Sequence, residues 1–512
     1  MIVVTELFCL ILGLIGQTLF GVFVAKSVLR LNSPSMVPPQ VADETRSNSI
    51  PLAELLGLGS LFGVGLTAWF LLVWSLCGGE LGIVPSGVLG LAGFATGGPI
   101  LWQGVRLWWQ QGWQPASQQG RTEPIGEDVR KQQQAVCRTC QSLIAILMIL
   151  ALLQTLQTPQ KLWDERAIFA LKARVLFEDR SIDSPALRHA DFVQYHPHYP
   201  LLLPLAEQNV YALLGRVDDR WSKLIFTALY CGLVLTTAGV LQRHLTCAQA
   251  WLGALLMATI PVLMPYEYGF LCGQADAPTA CYHGISLLYL WESLSRKPSQ
   301  QSAIGSMLLA GLCGALAAFT KDEGIAYLMI DGAILGLFLL GFLRNPEQLR
   351  RALFGMVLFV AAASALLIPW LIHRRSLPNT TEMNYFGRMT VDLLVSRLET
   401  LKWSVPHLIR RMFWEWREWG LQWWLMLAAI ACRPSRSLQP PLLLFLLDIV
   451  GSLAALLLAG MLAPAQLDEH IGGSSHRFLM QIAPVAVLFG VILFFSDEPL
   501  PGVKSDFALS CE

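Results

Sequence analysis

Charge is scarce in this 512-residue chain: 14% of its positions are Asp, Glu, Lys or Arg and 54% are hydrophobic, against roughly 25% charged in an average soluble domain. That excludes an ordinary soluble globule and indicates an all-α polytopic membrane protein. Net charge is lacking too, because 36 basic and 36 acidic residues cancel. No global field therefore argues for nucleic acid or acidic substrates, and what matters is where each sign falls. No internal repeat stands out, and no loop is long enough for a soluble domain of about 100 residues. The eleven Cys form no paired framework. Cys137 and Cys140 make one CxxC without a second pair or nearby His, so thiols in a hydrophobic helix are the plainer reading. A basic segment ahead of the first apolar run is also missing. Glu6 is the only early charge, and Lys26 and Arg30 follow the run, which favours an uncleaved helix with its N-terminus outside.

At roughly 20 predominantly apolar residues per span, about thirteen transmembrane helices are expected. They lie near 5–29, 52–77, 82–104, 141–158, 221–242, 248–265, 277–293, 302–319, 325–343, 352–372, 420–432, 440–463 and 477–495. Many of the seventeen Trp fall near the ends of these spans, where an indole prefers the headgroup layer. Residues 1–104 read as a three-helix membrane unit and 105–138 as a cytoplasmic linker carrying Arg106, Arg121, Arg130, Lys131 and Arg138. A core over 139–495 and a cytoplasmic tail over 496–512 follow. Counting alternately from outside puts Arg243, Arg296 with Lys297, Arg344 with Arg350 and Arg351, and Arg433 with Arg436 in the cytoplasm, as the positive-inside rule requires. The same count puts 159–220, 266–276, 320–324, 373–419 and 464–476 outside.

Those outer segments hold the costly polar residues. Asp164 and Glu165 are adjacent carboxylates at the edge of a span, a placement that invites a chemical explanation. Residues 166–178 mix Ile168, Phe169, Leu171, Val175 and Leu176 with charges such as Lys172, the pattern of an interfacial helix lying on the membrane surface. The run YHPHYPLLLP from Tyr195 to Pro204 has three prolines and is expected to re-enter in extended form. His196 and His198 within it read as ordinary loop histidines or as donors to a phosphate. Asp276 opens a helix, as a cap, a dipole partner or a second acid; Glu267 nearby is less specific. In TKDEG, Lys321 ends one span and Gly324 turns into the next; the lysine either snorkels to water beside Asp322 and Glu323 or meets a lipid phosphate. In HIGGSSHR, the Gly and Ser residues read as a loop, with His476 and Arg477 heading the last helix. A cation there opposes the helix dipole, a cost that an anionic ligand would relieve. A base for a hydroxyl and cations for a departing phosphate are the two needs of glycosyl transfer from a phosphate-linked sugar.

Residues 141–495 resemble the integral-membrane glycosyltransferases of the C-type (GT-C) fold, the superfamily of protein O-mannosyltransferases and lipid A aminoarabinose transferase. Asp164-Glu165 is similar to the acidic pair that opens the family's first large outer loop. His198-Tyr199-Pro200-Leu201 resembles imperfectly its Pro-rich motif, lacking the lysine of aminoarabinose transferases. Asp276 in GQADAP resembles the second acidic site, Lys321 to Gly324 the K-x-E-G turn, and His476-Arg477 the basic residues of the late helix. The resemblance implies a GT-C-like bundle with extracytoplasmic interfacial helices, with Asp164, Glu165 and Asp276 as catalytic residues. Lys321, Arg477, His476, Lys172 and His198 would hold the donor phosphate. It implies a polyprenyl-phosphate sugar donor, a lipid, glycan or protein acceptor, no nucleic acid, and an extracytoplasmic site on a bacterial-type inner membrane. No cofactor is expected; a divalent metal is open but not favoured. The rivals are a secondary transporter or flippase of a polar lipid, whose ionisable groups belong near the bilayer midplane, and a non-catalytic scaffold.

Overall fold

The computed structural model describes residues 2–31, 50–111, 127–265, 267–295, 303–378, 385–463 and 467–496. The tail 497–512, Tyr266, Arg296, Lys297, Arg121 and the middle of the expected linker (112–126) lie outside the described residues. Among those described, the regular elements are all helices, and nine are long and apolar enough to cross a membrane. These nine are Val4–Arg30, Leu52–Leu76, Ile83–Leu107, Glu127–Gln157, Trp221–Leu241, Glu323–Gly341, Pro346–Ser376, Pro440–Leu462 and Ile471–Phe495. Cys247–Ala258, Ile304–Thr320 and Gln422–Cys432 are shorter apolar helices. The Asp276–Leu294 helix, 19 residues long and carrying Asp276, His283, Ser286 and Glu292, is not among the nine.

Several boundaries differ from expectation for local reasons. The span expected to reach residue 265 stops at Ala258, because Pro261, which has no N–H to give a helix, follows and starts a 3-10 turn. Residues 259–265 and 267–275 then fold as irregular segments. The polar stretch 127–138, expected in a linker, is helical from Glu127, where Glu127 and Lys131 pair one turn apart. The last helix starts at Leu467, so Gly472 to Ser475 are helical rather than a loop; Arg411 from the Leu401–Trp414 helix donates to the Gly472 carbonyl and the Ser475 hydroxyl. Arg477 therefore sits ten residues into that helix, and no dipole cost at a helix start applies to it.

Polar contacts sort the helix ends into two opposite sets, the same two that the alternate count of spans produces. At one end the Leu81 N–H donates to the Arg180 carbonyl, the Ile182 N–H to Ser75 Oγ, Arg188 to the Ser376 carbonyl, and Arg374 to Asp322 through two parallel bonds of 2.8 and 2.9 Å. At the other, Arg243 pairs with Glu54 and Glu292, His244 with Glu292, and Arg433 donates to the Ser496 carbonyl.

The Asp276–Leu294 helix is the centre. Every residue from Asp276 to Ser293 is buried, beneath Ile304–Thr320, Leu467–Phe495, Leu224–Leu241, Pro440–Leu462 and Glu323–Gly341. The first three helices join this bundle through Leu52–Leu76, which lies along Leu224–Leu241. Among themselves they pack on glycines, as membrane helices do where backbones approach closely. A Cβ on Gly93 would lie 1.8 Å from the Gly16 carbonyl oxygen, whereas one on Gly98 meets nothing within 4 Å. Gly93→Ala should therefore force these helices apart at a cost of about 1–3 kcal/mol, visible as a lower thermal midpoint in detergent, while Gly98→Ala, inside a helix and facing open space, should not lower it.

Candidate functional site

The Asp164–Ala170 segment is a π-helix that passes directly into the α-helix Leu171–Asp179. Wide π turns change which way successive side chains face and recur at functional sites. Here the two adjacent acids part company. Asp164 keeps 28% of its side chain exposed and pairs with Arg477 Nη1 at 3.0 Å. Glu165 is wholly buried, accepts from the N–H groups of Lys161, Leu162 and Gly273 at 2.8, 3.1 and 2.9 Å, and has Lys223 Nζ at 3.5 Å. Gly273 has to be small, since a Cβ there would come within 2.7 Å of Glu165 Cγ. Glu165 thus clamps two loops and has no oxygen left for chemistry.

Asp276 is the meeting point. Its Oδ1 accepts from Lys321 Nζ and Gln481 Nε2, both at 2.8 Å, and its Oδ2 from Arg477 Nε and Nη2 at 2.9 and 2.8 Å. Lys321 also reaches Glu323 at 2.8 Å. The result is one chain of alternating charges, Asp164–Arg477–Asp276–Lys321–Glu323, assembled from four separate stretches of sequence. Each of the three carboxylates is paired with one or both of the two cations. Burial alone would raise the Asp276 carboxyl, but Arg477 and Lys321 outweigh it and hold it well below the ordinary range. Burial likewise works against the charge on Lys321, and the Asp276 and Glu323 carboxylates more than offset it.

The remaining expected residues are arranged around this chain. Lys172 is buried and donates to the His196 carbonyl at 2.5 Å, with its ammonium 5.7 Å from the centre of the Tyr199 ring. It shapes the histidine loop instead of facing outward. The apolar residues expected on an interfacial helix, Ile168, Phe169 and Leu176, are buried, and their helix packs on Leu202–Leu214. That helix begins at the leucine run expected to be extended; Pro204 is tolerated in its first turn, where no intrahelical donor is needed. The surface-type amphipathic helix is Leu401–Trp414, which exposes Trp403 and Trp414. Burial and the nearby charge of Lys172 lower His196, which has a left-handed φ of 53°. Burial and the charge of Arg374 lower His198, so both shifts favour the neutral ring. The His476 ring lies edge-on to Tyr268 at 4.2 Å, and among the described residues neither ring nitrogen has a hydrogen-bond partner. Cys137 lies 2.6 Å from Cys247 through its sulfur.

Sequence reasoning missed Gln481 and the Arg374–Asp322 pair. A signal for Gln481 existed, because it follows Arg477 by one helical turn and so shares its face. It also missed His283, Asp331 and Asp448, ionisable residues inside apolar helices, which are functional candidates wherever they occur. Glu207 is a further one: wholly buried, donated to by Gln160 at 2.9 Å, and pushed up to about 8 by burial.

The fold and this charged end define an all-helical integral membrane protein with a polar site at one end of its bundle. The chain matches no protein-family model and no curated protein sequence at a significant level.

Two outcomes follow from the geometry. Asp276→Asn leaves Lys321 and Arg477 without their shared counter-ion and should cost about 3–5 kcal/mol, read as a lowered thermal midpoint that a second change, Arg477→Gln, partly restores. Glu207 binds a proton in the folded state between its ordinary value of 4.5 and about 8, while the unfolded chain has released it. Its contribution to stability therefore falls as pH rises across that window. Glu207→Gln should unfold at a higher temperature than wild type at pH 8, with the difference shrinking toward pH 5.

Proposed function

We propose that the chain is a membrane-embedded glycosyltransferase that moves a sugar from a polyprenyl-phosphate-linked donor to an acceptor hydroxyl at the extracytoplasmic face. The observation that carries this reading is the single ion-pair chain joining Asp164, Asp276, Lys321 and Arg477. Those four residues were singled out as acids and cations for this chemistry, and they belong to four distant segments. In the proposed reaction Asp164, the more exposed acid, takes the proton of the acceptor hydroxyl, whose oxygen forms the new bond to the anomeric carbon as the bond to phosphate breaks. The single displacement inverts the anomeric centre. Arg477 and Lys321 meet the charge left on the lipid phosphate, which takes the place of Glu323 beside Lys321. Asp276 holds both cations in position.

The transporter or flippase reading keeps one specific support, the buried His283, Asp331 and Asp448 inside the bundle. Transfer assays in membranes separate the two. With polyprenyl-phosphate sugars as donors, Asp164→Asn should lower turnover by about 10²–10⁴-fold, the usual worth of a positioned base, without loss of folded protein. Near-normal turnover in this variant would sink the assignment of Asp164. A purified wild-type protein that carries no polyprenyl phosphate on lipid extraction and mass spectrometry would count against the donor class.

A further inference from the structure

Three helices bring ionisable side chains together inside the bundle, apart from the ion-pair chain. His283 lies two turns along the central helix from Asp276, Asp331 midway in Glu323–Gly341, and Asp448 in Pro440–Leu462. The two aspartates are completely buried and His283 is 1% exposed. One ligand-type atom from each lies within 4.8 Å of the others. Two carboxylates at such a place are very costly unless neutralised, and among the described residues no Lys or Arg pairs with either of them. Asp331 Oδ2 accepts one weak bond from Ser286 Oγ at 3.3 Å. Among the described residues, Asp331 Oδ1 and Asp448 Oδ2 have no hydrogen-bond partner.

The imidazole sharpens the problem. His283 Nδ1 lies 3.2 Å from the Gln481 carbonyl oxygen, which can only accept, so Nδ1 carries the hydrogen. In the neutral ring Nε2 then presents a lone pair, and 3.2 Å away is Asp448 Oδ1, also an acceptor. Two acceptors held face to face call for a positive centre between them. One proton on Nε2 answers that contact but leaves the triad with a net negative charge and two oxygens unpartnered. A divalent cation closes the charge at zero and gives all three side chains a partner.

We infer that His283, Asp331 and Asp448 bind a divalent transition-metal ion of the zinc class. Imidazole nitrogen with carboxylate oxygen suits zinc, and the nitrogen disfavours magnesium and calcium, which take oxygen ligands. The Nδ1–H bond to a backbone carbonyl is the contact that orients a ligating histidine, and Tyr327 stacks on the ring at 4.2 Å and 7°. Gln481 also ties the site to the charged end. Its side chain accepts from Tyr327 Oη at 2.9 Å and donates to Asp276 at 2.8 Å. The metal site is independent of the transfer reading and can fail without it.

The test uses tag-free full-length protein in detergent, stripped with a chelator, incubated with Zn²⁺ alone, freed of excess metal and analysed by elemental mass spectrometry. Wild type should hold about one zinc per chain, as a site with three protein ligands does, and should gain thermal stability with Zn²⁺. Asp331→Asn and Asp448→Asn should lose both the metal and the gain. Wild type without stoichiometric zinc overturns the inference and makes the triad a proton-holding cluster. Zinc retained undiminished by the variants overturns it as well, because the ion then lies elsewhere. Should Asp448→Asn fail to fold, Asp331→Asn, which gives up only one weak hydrogen bond, decides together with the wild-type stoichiometry.

Discussion

A single buried carboxylate, Asp276, organises one end of this molecule. Taking Lys321 and Arg477 out of water is affordable because each finds the same counter-ion, at 2.8 Å and at 2.8 to 2.9 Å, and the carboxylate in turn has both oxygens fully bonded. Buried ion pairs seldom add much net stability over well-packed apolar groups, but breaking one is expensive. The pairing therefore acts as a geometric constraint. It fixes the start of the central helix against the turn at Lys321 and the late helix at Arg477, and through Arg477 it draws in Asp164.

The same helix carries polar groups along its length. Asp276 stands at one end and His283 two turns on; Tyr289 and Glu292 stand at the other end, where Tyr289 donates to Glu54 at 2.7 Å and Glu292 takes Arg243. Its neighbours cover it on every side, so each of these groups has to be answered by a residue from another helix. That explains why so many distant segments supply one polar partner each. It also explains why Leu52–Leu76 is bound into the bundle, although the first three helices read as a separate unit in one dimension.

Reading position by position registers one-residue properties. Asp164, Asp276, Lys321 and Arg477 are expensive residues beside apolar runs, and their cost was visible without coordinates. It faltered where neighbours compete. Glu165 was expected as a second acid behind Asp164, and a π turn sends it inward to three backbone N–H groups. Gly472 to Ser475 carried loop composition, yet the helix runs through them because Arg411 and the packing of another helix hold it. Lys172 looked like a surface cation and is a buried strut for the histidine loop.

Composition and hydropathy alone determined that the chain is helical and membrane-bound, because a scarcity of charge over runs of about 20 apolar residues leaves the backbone no other way to satisfy its own polar groups in lipid. They also sorted the loops into two sets, since basic residues cluster at alternate turns. Tertiary structure alone decided which acids meet which cations, which of two adjacent carboxylates is left open, and that His283, Asp331 and Asp448 share one buried place. Those facts depend on the rotation and depth of each helix about its axis. Rotation and depth are set by packing against neighbours hundreds of residues away, about which local sequence is silent.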